Sequence, residues 1–280
     1  MRLLAGKKLA EKILQGLKKQ IQKRRLRLRL AVILIGDSLV SKIFIREKKK
    51  ACQKIGVDFK FFKCPENTSR DIILEEIKKI VADKNNSGIV IQLPLPASPA
   101  GGPGKFHTEE FLNLIPEGKD VDVLSEKSFR NFANGELEIL PPTVGAVATL
   151  LKKYGIRIKN KNIVVVGKGQ LVGKPLAAWL KLQKAQFSIL DKNTKNICSY
   201  TQKADILISG VGSPNLIKGD MVKKGVIAID VGSSVKNGRA VGDIDFKSVS
   251  KKASYITPVP GGVGPLTVAC LLDNLVKLNK

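Results

Sequence analysis

Residues 163–175 read IVVVGKGQLVGKP. Four apolar, mostly β-branched residues make a buried strand, and the pattern that starts at Gly173 makes a helix. Between them Gly167, Gly169 and Gly173 stand in G-x-G-x-x-x-G spacing. Glycines in such a turn let a phosphate approach the main chain, and the amino end of the helix adds partial positive charge. The spacing departs from the strict G-x-G-x-x-G of dinucleotide sites, so an ordinary strand-to-helix turn is the competing reading.

Working outward, strand patterns recur downstream at 187–190, 206–210 and 226–231. This β-α alternation predicts a parallel sheet in a Rossmann-like lobe over 143–260. Upstream, the periodicity predicts helices over 9–22 and 41–55 and strands over 28–35, 57–64 and 88–92. A further helix runs to 82 with Ser69 as its N-cap. These make a first parallel-sheet lobe over 1–142, with a loose connection at 97–105 and a helix at 143–154 leading out of it.

Residues 253–267, ASYITPVPGGVGPLT, carry the densest punctuation in the chain. Pro258 and Pro260 restrict the backbone, while Gly261, Gly262 and Gly264 admit positive φ and close approach of a ligand. A rigid, glycine-lined loop between strand and helix is where α/β enzymes bind small molecules; a tight structural turn is the blander reading.

Composition narrows the function classes. At 280 residues with 43% hydrophobic content, the chain is long enough to bury a real core. No apolar run approaches the ~20 residues that span a bilayer, and the first residues read as an amphipathic helix rather than a secretory leader. Cys52, Cys64, Cys198 and Cys270 are scattered without C-x-x-C spacing, as reduced, buried thiols of a cytoplasmic protein would be. The formal charge of +25 raises the question of nucleic acid. The cations are spread along the chain, however, with local density only at KKQIQKRRLRLR (18–29) and EKKK (47–50). Aromatic content of 5% leaves few stacking platforms. A solvated basic surface, or attraction for an anionic small molecule, fits better than a nucleic-acid partner.

Five blocks stand in order along the chain: GIVIQLPLP at 88–96, KDVD at 119–122, VGKGQLVGKP at 166–175, IDVG at 229–232 with VGDIDF from Val241, and the 253–267 loop. Together they closely resemble the signatures of the methylenetetrahydrofolate dehydrogenase/cyclohydrolase family. The resemblance implies an α/β fold of two lobes. The first is a catalytic, folate-binding lobe and the second is Rossmann-like. A last helix from Pro265 returns to the first lobe, which 261–280 complete. It implies NADP-dependent oxidation of methylenetetrahydrofolate, hydrolysis of the methenyl product to formyltetrahydrofolate, and a homodimer. A degenerate family member with weak or lost cyclohydrolase activity and a basic nucleic-acid-binding protein are the alternatives.

The segment SKIFIREKKKAC (41–52) resembles the family's active-site helix, in which a tyrosine precedes a lysine by four residues. That is about one turn, so both side chains share a face. The lysine aligns with Lys48, which composition alone would leave as an exposed cation of a basic helix. The tyrosine position holds Phe44, which can pack on an aminobenzoyl ring but offers no hydroxyl. Gln92 ends a buried strand beside Leu93; a buried amide needs a partner, and the resemblance makes that partner Lys48. Burial would lower the lysine's pKa toward proton-transfer duty near neutrality. Asp122 aligns with the carboxylate that grips the pterin, since a carboxylate accepts two parallel N–H bonds. Asp120 reads as structural. The catalytic set is then Lys48, Gln92 and Asp122, with Phe44, Leu93, Pro258, Gly261 and Gly262 also on the substrate. The family's glycine and aromatic after KDVD are Val123 and Leu124 here, and its Pro-Cys-Thr-Pro is Pro141-Pro142-Thr143-Val144.

On the cofactor side the resemblance selects Gly167, Lys168, Gly169, Val172 and Gly173, with Lys168 at the family's basic position and Gly169 in place of its serine. Asp191, after the next strand, suits the ribose hydroxyls of NAD; Lys168 and Lys192 suit the extra phosphate of NADP. The family favours NADP, with NAD left open. Ser233 aligns with a position along the cofactor. The one histidine, His107, has no assigned role, and no metal-ligand cluster is visible.

Overall fold

The computed structural model describes residues 1–96, 107–236 and 239–280, so the loose connection expected at 97–105 lies outside the described residues. The chain starts with β1 (Arg2–Leu3) and α1 (Lys7–Arg24). Then β2 (Arg29–Ile35), α2 (Leu39–Ile55), β3 (Asp58–Cys64), α3 (Arg70–Ala82) and β4 (Gly88–Ile91) alternate. Next come α4 (Thr108–Leu112), α5 (Glu126–Asn134) and α6 (Pro142–Lys153). A second alternation follows: β5 (Ile163–Val166), α7 (Gly173–Leu182), β6 (Phe187–Leu190), α8 (Ile197–Thr201), β7 (Ile206–Ser209) and β8 (Ile227–Asp230). The chain ends with β9 (Ser234–Lys236), β10 (Arg239–Val241), α9 (Phe246–Val249), β11 (Tyr255–Ile256) and α10 (Val263–Leu278).

Two compact units result. One comprises Glu11–Phe132, Glu136–Pro141 and Leu271–Lys280. Its parallel sheet has the order β3-β2-β4. The central strand, RLAVILI, is buried from Leu30 onward, because a strand covered on both faces needs apolar residues throughout. Ile33, Ile73, Ile77, Ile89 and Phe111 form its core. Ser38 caps α2, its hydroxyl accepting from the Ser41 amide, and Gly56 ends the helix in the left-handed region. Between these caps Ser41, Ile45, Lys48, Cys52 and Ile55 are buried, a helical stripe with one lysine in it. Ser69 occupies the N-cap position of α3 as expected, but its hydroxyl makes no capping bond.

The other unit comprises Met1–Ala10, Ala133–Gly135 and Pro142–Cys270. Its six parallel strands run β1-β11-β8-β7-β5-β6. β5 connects to β6 on one side and β7 lies on the other, which makes the carboxyl ends of β5 and β7 the topological switch point. The partition differs from the expected 1–142 and 143–260 at its ends. Residues 1–10 join this unit because β1 pairs with β11, and α10 is shared, with Leu271–Lys280 returning to the other unit. The last helix starts at Val263 rather than Pro265, so Gly264 and Pro265 lie in its first turn. A proline fits there, where its missing amide has no helical partner to lose. Cys52 and Cys64 are buried as expected, whereas Cys198 and Cys270 are half-buried.

Candidate active site

In the unit built on β2, α2 and the end of β4 bring two polar side chains into the core. Lys48 is 9% exposed and Gln92 is 7% exposed. The Gln92 amide continues the ladder to the Ile33 carbonyl at 2.8 Å, which fixes where its side chain starts. Lys48 Nζ donates to Gln92 Oε1 at 2.7 Å. Gln92 Nε2 in turn donates to the Leu93 carbonyl at 2.9 Å. That second bond sets the amide's orientation and presents oxygen to the lysine. Burial holds the Lys48 amine below its ordinary range by removing the water that would stabilise its charge; Asp122 and, less, Cys52 act in the opposite sense.

Asp122 is half-buried beside this pair, and burial pushes its carboxyl up to about 6, against the pull of Lys48 and with a smaller push from Asp120. The turn that carries it is held from three sides. Asp120 accepts from the amides of Leu124 (3.1 Å) and Ser125 (2.8 Å), which is the structural part expected of it. Lys119 Nζ donates to the carbonyls of Val81 (2.8 Å) and Asp83 (2.9 Å) at the end of α3. Asn274 Nδ2, from α10, donates to the carbonyls of Val121 (2.9 Å) and Leu140 (2.8 Å). Val123 has φ 58, the left-handed region, and is fully buried. A β-branched residue is strained there, which is a physical reason for the glycine the family pattern carries at this position.

Phe44 is half-buried one turn before Lys48. Ser41, one turn earlier again, is fully buried and its hydroxyl has no partner among the described residues. Sequence reasoning passed over Ser41; its place on the Lys48 stripe was the available signal. Pro258, Gly261 and Gly262 fall in the other unit. There the Gly261 carbonyl accepts from the amides of Gly6 (2.9 Å) and Lys7 (3.1 Å), so part of that loop's rigidity serves the amino-terminal segment. Val144 is buried in α6 of the same unit.

At the end of β5, Gly173 lies so close to Gly167 that any Cβ would collide with the Gly167 carbonyl. The loop between them is drawn tight onto the first turn of α7. Val172 caps that helix without a side-chain bond. In the first turn of α7 the Lys174 amide already donates to the Gly169 carbonyl (3.0 Å) and Pro175 has no amide, so an anion here would meet the loop's own backbone, where Gly169 faces open space. Lys168 and Lys192 are exposed. Asp191 turns inward on its own loop, accepting from the Asn193 amide (2.9 Å) and the Thr194 hydroxyl (3.3 Å). Ser233 is exposed just past β8, and the neighbouring Ser234 hydroxyl donates to the Gly212 carbonyl at 2.8 Å. Residues 210–213, at the end of β7, complete the switch point. The sequence did not single them out, because only the strand order reveals that β7 lies beside β5. A cradle of this kind fits a dinucleotide's phosphates.

Among the described residues, no group of three or more His, Cys, Asp or Glu is placed to hold a metal ion, and no helix is long and apolar enough to cross a membrane.

Two family models match the chain. Residues 4–122 match the catalytic domain of tetrahydrofolate dehydrogenase/cyclohydrolase, and residues 141–280 match its NAD(P)-binding domain. The bifunctional protein FolD of Nautilia profundicola is 43% identical over 284 residues, covering 100% of this chain and 98% of that protein. The FolD dehydrogenase/cyclohydrolase of Campylobacter jejuni superposes with a TM-score of 0.90 at 39% identity, covering 99% of this chain and 98% of that one. The FolD of Trypanosoma brucei, solved with NADP cofactor and an inhibitor, gives 0.89 at 31% identity, covering 98% and 95%.

Proposed function

The chain belongs to the tetrahydrofolate dehydrogenase/cyclohydrolase family, and we propose that Lys48, Gln92 and Asp122 are the residues with which it acts on folate. The enzyme oxidises methylenetetrahydrofolate to methenyltetrahydrofolate and hydrolyses that to formyltetrahydrofolate. Bound NADP supplies the acceptor for the hydride that leaves the methylene carbon.

The observation that carries the residue assignment is the buried Lys48–Gln92 hydrogen bond. Burial holds the amine below its ordinary range, which raises the share of the neutral form that can accept a proton. Lys48 Nζ takes a proton from water as the water oxygen bonds to the methenyl carbon. It returns that proton to the ring nitrogen as the carbon–nitrogen bond breaks, and the hydroxyl proton leaves to solvent as the carbonyl forms. Gln92 holds Nζ on this line. Asp122, ionised, accepts two N–H bonds from the aminopyrimidine edge, and the Phe44 ring packs on the aminobenzoyl group. Hydride transfer asks of these residues mainly that they fix the substrate's position. The loop of Gly167, Lys168, Gly169, Val172 and Gly173, with Lys192 and Ser233, holds the dinucleotide; Pro258, Gly261, Gly262 and the Leu93 backbone border the folate. A homodimer in the cytoplasm, with no nucleic-acid partner, completes the proposal. Purified protein assayed for methenyl and formyl products, with NADP and NAD in parallel, tests it.

Two further outcomes are expected. Phe44→Tyr supplies one hydroxyl near Lys48, and a net hydrogen bond of about 0.5–1.5 kcal/mol should raise hydrolysis roughly three- to tenfold. Hydride transfer should change less, as both activities of the two forms measured together would show. If hydrolysis gains nothing, the pocket is built around phenylalanine, and Val123 becomes the residue to revert. On the cofactor side, the inward turn of Asp191 leaves the exposed lysines to meet the extra phosphate. Lys192→Gln should lower kcat/KM with NADP about fivefold, the range of one solvent-screened charge contact, and change it little with NAD. An equal loss with both cofactors would remove Lys192 from the phosphate site.

A further inference from the structure

We propose that Asp243 is a positioning residue for the dinucleotide, setting the backbone of residues 211–213 that forms the β7 side of the cofactor crevice. Asp243 is fully buried. One oxygen accepts from the Ser209 hydroxyl (2.9 Å) and the Val211 amide (2.6 Å). The other accepts from the amides of Gly212 (3.0 Å) and Ser213 (2.9 Å). One carboxylate thus gathers the end of β7 and the three residues that follow Gly210.

Asp243 is itself held in place. Asp230, 3% exposed, accepts from the amides of Gly232 (2.9 Å), Asp243 (3.0 Å) and Ile244 (2.8 Å). A Cβ on Gly232 would run into the Asp243 carboxylate, and one on Gly242 into that of Asp230. The two glycines of IDVG and VGD are therefore what lets the carboxylates approach so closely. Among the described residues no lysine or arginine forms an ion pair with either, so backbone amides and one hydroxyl hold both groups. Burial pushes Asp230 up to about 6 in spite of its three donors. Burying two carboxylates without a cation is costly, and such a cost is commonly met at sites that must be held in one geometry.

The loop these carboxylates hold faces the phosphate loop. A Cβ at Gly167 would lie 2.6 Å from the Gly210 carbonyl oxygen, and the Val172 side chain packs on Gly210. Gly212 has φ +79 and open space where a side chain would be. A shift of 211–213 would change the width of the crevice at the switch point, while Lys48, Gln92 and Asp122 belong to the other unit.

The inference rests on the reading that the dinucleotide occupies this crevice. Asp243→Asn turns one acceptor into a donor against two N–H or O–H groups. It should raise the dissociation constant for NADP, measured by calorimetry without folate, at least about tenfold. The KM for NADP should rise in step, with kcat for hydride transfer within about twofold. Hydrolysis of methenyltetrahydrofolate without NADP should keep the parent rate, which a general loss of structure would not allow. Ser209→Ala, which removes one donor only, should raise the same constant about two- to threefold and decides the matter if Asp243→Asn does not fold. Parent-like NADP binding in a folded Asp243→Asn, or in Ser209→Ala if that is the only variant that folds, overturns the proposal, as does loss of hydrolysis together with NADP binding. Failure of the parent itself to bind NADP overturns the underlying reading instead.

Discussion

Lys48→Met is expected to lower hydrolysis of methenyltetrahydrofolate by about 10²–10⁴-fold, the range for losing a positioned acid–base group. Methionine keeps the length and flexibility of the stem and removes the amine. Hydride transfer should stay within about tenfold, because it draws on position rather than on a proton at Nζ. Folate binding should be largely kept, since the proposed polar contacts to the pterin are those of Asp122. Stability should move little. The variant sheds an amine that burial disfavours when charged, and it leaves Gln92 Oε1 without the donor now 2.7 Å away. Both activities measured on one preparation check this. Parent-rate hydrolysis by Lys48→Met would remove the lysine from the chemistry.

Asp122→Asn is expected to raise the KM for folate about 10²-fold in both activities together, since it sets an amide N–H against an N–H of the substrate where a charged acceptor contributes about 1.5–3 kcal/mol. The pH dependence gives a second arm. The Asp122 carboxyl is raised from 3.8 to about 6 in the folded protein, mainly by burial. Its binding-competent, ionised form therefore prevails only above about pH 6. The KM of the parent should be flat above neutrality and climb up to tenfold per pH unit below 6; that of the asparagine variant should lack this limb. For stability the sign is opposite. The folded state holds the proton more tightly than the unfolded one, so the cost of burying the charge is full above the folded pKa and is relieved as pH falls from about 6 toward 3.8. Asp122→Asn should accordingly not lower the melting temperature at pH 7. A variant with parent KM at pH 7, or with the acid limb intact, would place the pterin grip elsewhere.

Much of this was legible in the sequence, for reasons that also mark where it stopped. The strands of the dinucleotide unit are short apolar runs such as IVVV and ILIS, fully buried in the sheet, and such runs declare themselves. The glycine loop at 167–173 declares itself too. β1 did not, because a two-residue exposed strand, Arg2–Leu3, has no periodicity; only its partner β11 explains it. The Lys48–Gln92 contact joins residues 44 apart, and no local pattern reports it; the family resemblance did. Asp191 at a strand end suits a ribose ligand by pattern, and the pattern did not report that one of its oxygens also accepts from its own turn. The work of Asp243 was hidden for the same reason of distance, since its donors stand 30–34 residues away in the chain. Val123 ran against propensity, so nothing in a valine could announce a left-handed backbone.

The most direct test of the central assignment, that Lys48 manages the proton of hydrolysis, is the pH profile of single-turnover methenyltetrahydrofolate hydrolysis. It should be corrected for the uncatalysed rate, with hydride transfer followed in the same samples. The predicted result is a hydrolysis rate that rises with pH through a group titrating well below an ordinary lysine, with no such limb in hydride transfer and none in Lys48→Met. A limb that persists unchanged in Lys48→Met, or that hydride transfer shares, would contradict it.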